Sequence, residues 1–369
     1  MSPGRNDRLL EHLSIAPVRF AACEEMDRIL DIYLEPGDAE LLLSLGHMPV
    51  LHGARSIARR AGVEVEHATQ RLAQLAERGV IARARLLGRN LYALLPLMPG
   101  FFEFTFMKDD NYPPEVKREL QQLWSRYKRE HLTPELIGQA TLPQRVVPVQ
   151  QSIAPQQKIL TRDHVERIVE GAWKISLGNC ACRVAEHNCE MPIETCLSIN
   201  SFAVLMIQNG FARQISAGQA REVLHQAAQA GLVHAALNCD SHSLILCNCC
   251  GCCCVTLGAL AKMGRERGMV PSSMVAQIEL ERCEDCGICA QRCWVDAISM
   301  DEQGVRQVDA DRCIGCGVCA IGCEQGALSM VPRPGYADDT PRSGIRLLKR
   351  MTDERGMSSR LMKAMLREL

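Results

Sequence analysis

Two runs near the end of the chain, CEDCGICAQRC and CIGCGVCAIGC, supply eight cysteines. The first run holds Cys283, Cys286, Cys289 and Cys293; the second holds Cys313, Cys316, Cys319 and Cys323. Both read C-x2-C-x2-C-x3-C, and the copies are offset by 30 residues throughout, from Cys283 to Cys313 and from Cys293 to Cys323. That is an internal duplication. A C-x2-C-x2-C loop can wrap three irons of a cubane with little strain. Gly287, Gly315 and Gly317 leave room for backbone amides to approach the sulfurs. Zinc ribbons use two C-x2-C pairs instead of a four-Cys run, so iron–sulfur ligation is the preferred reading.

A second concentration lies upstream. The stretch ISLGNCACRVAEHNCEMPIETCLSIN carries Cys180, Cys182, Cys189 and Cys196. The octad CNCCGCCC carries Cys247, Cys249, Cys250, Cys252, Cys253 and Cys254. On an extended chain alternate side chains share a face. Cys247, Cys249 and Cys253 would then face one way and Cys250, Cys252 and Cys254 the other, unless Gly251 bends the chain. Adjacent cysteines do not easily serve one cluster, so the octad is expected to serve two sites, or one site and a free thiol pair. All ten cysteines are candidate metal ligands, not all expected to ligate. Two cubanes need eight thiolates and one needs four, so at least one further cluster is expected here. Buried inert cysteines and a metallothionein-like zinc or copper store are the competing readings. Arg183 is placed to neutralise cluster charge or to be an ordinary solvated arginine. His225 and His234 read as packed or exposed histidines more readily than as ligands.

The whole chain sets the bounds. Its 369 residues suggest two to four domains. A formal charge of −1 points to neither a nucleic-acid nor a membrane partner. No stretch approaches 18 uninterrupted apolar residues, so no membrane insertion is expected. The opening MSPGRNDRLLEHLS lacks a signal-peptide pattern, so a cytoplasmic location is expected. Twenty cysteines in a reducing compartment argue for ligation over disulfides. No Rossmann fingerprint, P-loop or H-E-x-x-H is visible, so nicotinamide, ATP and zinc-protease chemistry lack support.

The elements that would carry these ligands divide the chain into six parts. Residues 1–36 read as a helical segment. Over 37–97, AELLLSL and ARSIARRAG suggest two helices. VEVEHATQRLAQLAERGVI follows as a longer amphipathic helix with Ala68, Leu72, Leu75 and Ala76 on one face, stopped by Gly79. VIARARLLGRNLYALLPL alternates and turns at Gly88-Arg89-Asn90, like a hairpin wing. Residues 98–159 read as a linker and connecting segment, with Phe101, Phe102, Phe104 and Phe106 forming a packing strand or a partner patch. A Pro- and Gln-rich extended stretch follows them. Residues 160–274 read as a mainly helical Cys-rich domain, with Thr161 capping a helix through Val165, Ile168, Val169, Ala172 and Trp173. Residues 275–332 are the two-cluster region. Residues 333–369 are a basic helical tail with an apolar face of Leu347, Leu348, Met351, Leu361, Met362, Met365 and Leu366.

The part over 37–97 resembles a winged helix–turn–helix. Eight arginines (55, 59, 60, 71, 78, 83, 85, 89) face three glutamates (64, 66, 77) between 54 and 92. A basic wing suits phosphate, yet Glu64 and Glu66 open the helix that would enter a groove, so protein docking is preferred and DNA is possible but unlikely. The duplicated runs resemble the bacterial-type ferredoxin domain with two [4Fe–4S] clusters. The resemblance implies that the fourth cysteine of each run ligates the other cluster. One set is then Cys283, Cys286, Cys289 and Cys323; the other is Cys313, Cys316, Cys319 and Cys293. The family has Pro after each fourth cysteine, where Trp294 and Glu324 stand here.

As a whole, Cys180-Ala-Cys182-Arg183, Cys189, Pro192 to Cys196, Cys247 to Cys254 and Cys283 to Cys323 resemble ferredoxin-like iron–sulfur proteins of anaerobic bacteria. The resemblance implies an α+β, multi-domain fold: winged helix, mainly helical Cys-rich domain, ferredoxin-like domain. It also implies two [4Fe–4S] clusters and one or more additional Fe–S clusters. The expected function is electron transfer within a larger anaerobic redox system, to redox partner proteins. A reductase with its own active site at the middle cysteines, and a redox-sensing regulator, are the alternatives.

Overall fold

The computed structural model describes residues 5–14, 18–153, 160, 163–240, 244–262 and 267–356. The protein is mixed α and β. Its front begins with helices Arg5–Leu13, Glu24–Tyr33 and Asp38–Leu43. There follow β1 (His52–Gly53), helices Ala54–Ala61 and Val65–Glu77, and the hairpin β2 (Ile81–Leu86) and β3 (Arg89–Leu94). The three strands form an antiparallel sheet ordered β1-β3-β2. Ala68, Leu72, Leu75 and Ala76 are buried, as the amphipathic pattern requires. Gly79 ends that helix with φ +83°, and a Cβ there would meet Phe104 Cβ at 2.8 Å. The hairpin turns at Leu87-Gly88, both at positive φ, because Arg89 and Asn90 already pair with Leu86 and Arg85.

The Phe-rich stretch is a helix, Phe102–Met107, and not a strand. Phe101, Phe102, Phe104 and Phe106 are all buried, and Phe102 meets Trp124 of helix Pro114–Tyr127 at 5.2 Å between ring centroids. Phe102, Phe104 and Phe106 alternate with Glu103 and Thr105 as a strand would, but Thr105 is buried too and Glu103 lines an internal cavity, so tertiary packing on every side overrides the local pattern. The expected connector supplies β4 (Gln144–Val146), an edge strand of the central sheet.

That sheet corrects the expectation of a mainly helical middle region. With β4 it contains β5 (Ile175–Asn179), β6 (Glu194–Ile199), β7 (Arg213–Ile215), β8 (Val233–Leu237) and β9 (Ile245–Cys249). The order is β4-β8-β9-β6-β5-β7, and every neighbouring pair is antiparallel. These strands are short and rich in Cys, Ser, Gly and Ala, so β-propensity is weak and pairing decides their state. Helices Asn200–Gln208 and Ala217–Gln229 accompany the sheet, the second opened by a Ser216/Gln219 capping box. The helix expected through Trp173 covers only Val165–Glu170, and Trp173 is 65% exposed. Thr161 lies outside the described residues.

The duplicated region pairs β10 (Met274–Ile278) with β13 (Leu328–Pro332) and β11 (Ile298–Met300) with β12 (Arg306–Val308). Short helices Ile288–Gln291 and Val318–Ile321 keep the 30-residue offset. So do the positive-φ residues Asp285 and Gly315, Gly287 and Gly317, and Asp296 and Gly326. The tail helix Gly344–Glu354 packs Leu347 and Met351 onto Cys239. Leu361, Met362, Met365 and Leu366 lie outside the described residues. Among the described residues, no helix is long and apolar enough to cross a membrane.

Candidate metal centres

The structure gathers the cysteines, all but Cys23 and Cys239, into four groups. In the duplicated region, Cys283, Cys286, Cys289 and Cys323 line one cavity, together with Glu284, Asp285 and Arg306. Cys293, Cys313, Cys316 and Cys319 line a second, beside Trp294. Each group therefore takes three cysteines from one copy and the fourth from the other. A backbone amide four residues on reaches each fourth sulfur: Ala297 N–H donates to Cys293 Sγ at 3.2 Å and Ala327 N–H to Cys323 Sγ at 3.3 Å. Such bonds hold a thiolate in place and stabilise its charge. Cys286 is exposed, so the first group opens to solvent. Burial pushes the Cys316 thiol up to about 12 and the Cys319 thiol upward as well, so these two thiols stay protonated unless a cation stabilises their thiolate forms.

The middle cysteines split differently from the sequence reading. The octad begins as the end of β9, turns at Gly251, and enters helix Val255–Lys262. Cys254 N–H already donates to Cys250 O at 3.2 Å, a helical bond. The alternation of an extended chain therefore holds only to Cys249. Cys247, Cys249 and Cys254 face one cavity, which Cys250 also borders, while Cys250, Cys252 and Cys253 gather with Cys189. Cys253 and Cys254 thus exchange the sides that simple alternation predicts. Adjacent cysteines also share a site, contrary to expectation: Cys252 and Cys253 place their sulfurs 3.7 Å apart, because a turn does not send neighbours to opposite faces.

The third group joins Cys180, Cys182 and Cys196 to Cys247, Cys249 and Cys254 around a cavity of about 90 Å³, which Cys250 of the fourth group borders as well. Strand β6 presents Cys196, β9 presents Cys247 and Cys249, and the turn and short helix after β5 present Cys180 and Cys182. Thiols in such proximity polarise one another. Hydrogen bonds from Cys196 and Cys249 pull Cys247 down, and one from Cys249 pulls Cys254 down to about 7. The same bonds push Cys196 and Cys249 up. Several thiolates in one buried pocket would repel one another unless a cation holds them.

The fourth group is Cys189, Cys250, Cys252 and Cys253, whose sulfurs all lie within 4.8 Å of one another. Cys189 Sγ is 3.9 Å from Cys250 Sγ and 3.8 Å from Cys253 Sγ. Arg183 lies between the third and fourth groups and is fully buried. Its guanidinium donates to Asn248 O at 2.8 Å and to Cys250 Sγ at 3.8 Å, and it also bonds Thr195. Burial works against its charge, but Cys180 and Cys250 hold it firmly protonated. It is thus the neutralising cation, not a solvated arginine.

Other positions were not legible in the chain. Glu103 lines the third cavity, accepts from Gly100 N–H at 2.7 Å, and is pushed up to about 8 by burial, with Cys247 and Cys254 adding to the shift. Its carboxyl is the one charged group in a buried Phe-rich helix, which is the signal available for it. Lys128 donates to Cys253 O at 2.9 Å and pairs with Glu186. His234 is buried, bonds Asn248 Oδ1 at 2.6 Å, and is lowered to about 4 by burial. His225 is exposed, and neither histidine joins a sulfur group. Trp294 donates to Gly231 O at 2.7 Å and packs on Gly251, where a Cβ would meet its ring at 2.7 Å. It thus lies between the second and fourth groups. Cys23 approaches Glu25 and His131, but Glu25 is also ion-paired with Arg126.

No curated protein and no solved structure matches the chain. Residues 306–329 match the family model of the 4Fe-4S binding domain. That match spans the second cysteine run, and with the clustered cysteines it indicates an iron–sulfur protein with at least one [4Fe–4S] cluster.

Proposed function

We propose that this protein is an iron–sulfur electron-transfer protein with two [4Fe–4S] sites in crossed ligand sets and a third cluster site in the six-thiol cavity. The observation that carries the reading is the exchange of the fourth cysteines: Cys323 joins Cys283, Cys286 and Cys289, while Cys293 joins Cys313, Cys316 and Cys319. Clusters of this kind, when bound, take up and release single electrons. The protein's own residues set the conditions for that. Exposed Cys286 presents the first set to a redox partner protein, and Arg306, paired with Asp285 at 2.5 Å, lies beside it. Arg292 fixes the second set against the middle region, donating to Val318 O at 3.0 Å and to Ala228 O at 2.9 Å. Arg183 offsets the charge of the buried thiolates. This arrangement suits a component of a larger redox system.

The test uses the full chain, purified without oxygen. Cys323→Ser and Cys283→Ser should abolish the same EPR signal, and Cys293→Ser and Cys313→Ser the other. If Cys323→Ser instead reproduces Cys313→Ser, the crossed assignment fails.

Glu103 favours a second reading, a reductase acting at the six-thiol cavity. A carboxyl held protonated beside the sulfurs is a proton donor, and six thiols exceed the four that one cubane needs. A regulator ranks last. The front's helix and hairpin order supports a winged-helix reading, but the hairpin is docked inward. Asn209 donates to Arg83 O at 2.7 Å, and Arg85 N–H donates to Gln208 at 2.9 Å. Arg71 and Arg78 are used internally, on Asp38 and on Ile32 O. We read the front as a docking module.

A further inference from the structure

Among the described residues, the fourth group is the cysteine group whose four sulfurs all lie within 4.8 Å of one another. Three of its sulfur separations are 3.7, 3.8 and 3.9 Å, and none exceeds 4.8 Å. A disulfide needs sulfurs at about 2 Å, so these are separate ligands and not a strained bridge. A cubane places each thiolate on a different corner iron, which holds the sulfurs roughly 6 Å apart. A single tetrahedral ion sets a much shorter edge. With a metal–sulfur length of about 2.3 Å, the edge of the tetrahedron is about 1.63 times that, or about 3.8 Å. The observed separations match this value.

We infer that Cys189, Cys250, Cys252 and Cys253 hold one zinc ion as a closed tetrathiolate, a site that adjoins the six-thiol cavity through Cys250 and shares no ligand with a cluster. All four positions are taken by protein, as in structural zinc sites, and no position is left for a substrate. Soft thiolates in a tetrahedral set select zinc among the divalent ions with fixed oxidation state. The surroundings suit a doubly negative centre. Arg183 donates to Cys250 Sγ, Lys262 to Cys252 O at 3.1 Å, and Lys128 to Cys253 O at 2.9 Å. Ala227, Leu232, Met191 and Trp294 wall the group, while Cys189 and Cys252 are only partly buried and give an ion its way in.

The ion has a mechanical task. Cys189 sits in the irregular segment between helix Ala181–Glu186 and β6, and its three partners sit on the octad turn. Binding fastens that segment to the turn. Zinc has no redox chemistry of its own, so the fastening does not change when electrons pass nearby.

The site is tested on the full chain purified without oxygen, by metal analysis and X-ray absorption at the zinc edge. The expected result is about one zinc per chain with four sulfur neighbours at about 2.3 Å and no metal at short range. Zinc should fall several-fold in Cys189→Ser and Cys252→Ser with iron content unchanged, and stay in Cys239→Ser. Absence of zinc, zinc with nitrogen or oxygen neighbours, or iron lost on changing Cys252 would overturn the inference. Because the absorption measurement uses the unaltered chain, it decides even if a variant fails to fold. Iron content reports separately on the electron-transfer reading.

Discussion

Gly287 and Gly317 are equivalent positions of the duplication and share a φ of +78°. Alanine at either position bears the same left-handed cost, about 1–2 kcal/mol. Their surroundings differ. At Gly287 the nearest atom to a new Cβ is the flexible Arg306 guanidinium at 3.8 Å. At Gly317 the Cβ would meet Ser152 Cβ at 2.9 Å and its Oγ closer still. Ser152 is buried and donates to Val149 O at 2.6 Å, and Val149 N–H donates to Cys316 O at 2.9 Å. Turning the hydroxyl away loses a hydrogen bond of about 1 kcal/mol. The Cβ contact remains and adds an overpacking cost of about 1–3 kcal/mol. Gly317→Ala should therefore be less stable than Gly287→Ala by about 2–4 kcal/mol, the shared conformational cost cancelling. Anaerobic urea denaturation of the loaded full chain, followed by circular dichroism, should separate the midpoints by roughly half a molar or more. Equal midpoints would refute the packing of the second cysteine loop on residues 150–152.

Three further outcomes follow from the same structure. Arg71→Met leaves the buried Asp38 carboxylate without its bidentate partner (2.7 Å on both oxygens) and should cost about 3–5 kcal/mol, read as a fall in unfolding midpoint. Burial holds His47 down to about 4, with the His12 ring beside it adding to the shift. The folded protein thus resists a proton that the unfolded chain accepts, so stability is full above about pH 6.5 and falls as pH drops toward 4. His47→Gln should flatten that fall in a pH series of thermal midpoints. Changing Arg83, Arg85 and Arg89 to Ala should leave stability and iron content near wild type. No steeply salt-dependent DNA affinity should be lost, as measured by fluorescence anisotropy on duplex DNA.

The pooling of the eight late cysteines into two crossed groups was legible because the run spacing limits which sulfurs one loop can bring together. One loop of fixed length supplies three cysteines of a group, and the duplication supplies the fourth from the other copy. The amphipathic helix Val65–Glu77 and the hairpin were legible because burial follows a helical or period-2 pattern there. The middle sheet was not, since β5, β6 and β9 carry Gly, Ser, Asn and Cys where hydrophobic alternation would announce a strand. The convergence of the Cys180–Cys196 segment on the octad was anticipated, but its division was not. Which sulfur joins which group depends on where β9 stops, and a single turn at Gly251 moves Cys253 and Cys254 to opposite groups. Glu103 and Lys128 reach the sulfur groups from distant parts of the chain, and no local spacing records such an approach.

The most direct measurement is iron and acid-labile sulfide per chain in full-length protein purified without oxygen. Two crossed clusters and a third in the six-thiol cavity predict about twelve iron atoms with matching sulfide, and Cys196→Ser should remove about four while leaving the ferredoxin-type EPR signals in place. Iron at about eight or below, unchanged by Cys196→Ser, would contradict a cluster in the six-thiol cavity, and absence of labile sulfide would contradict iron–sulfur electron transfer altogether.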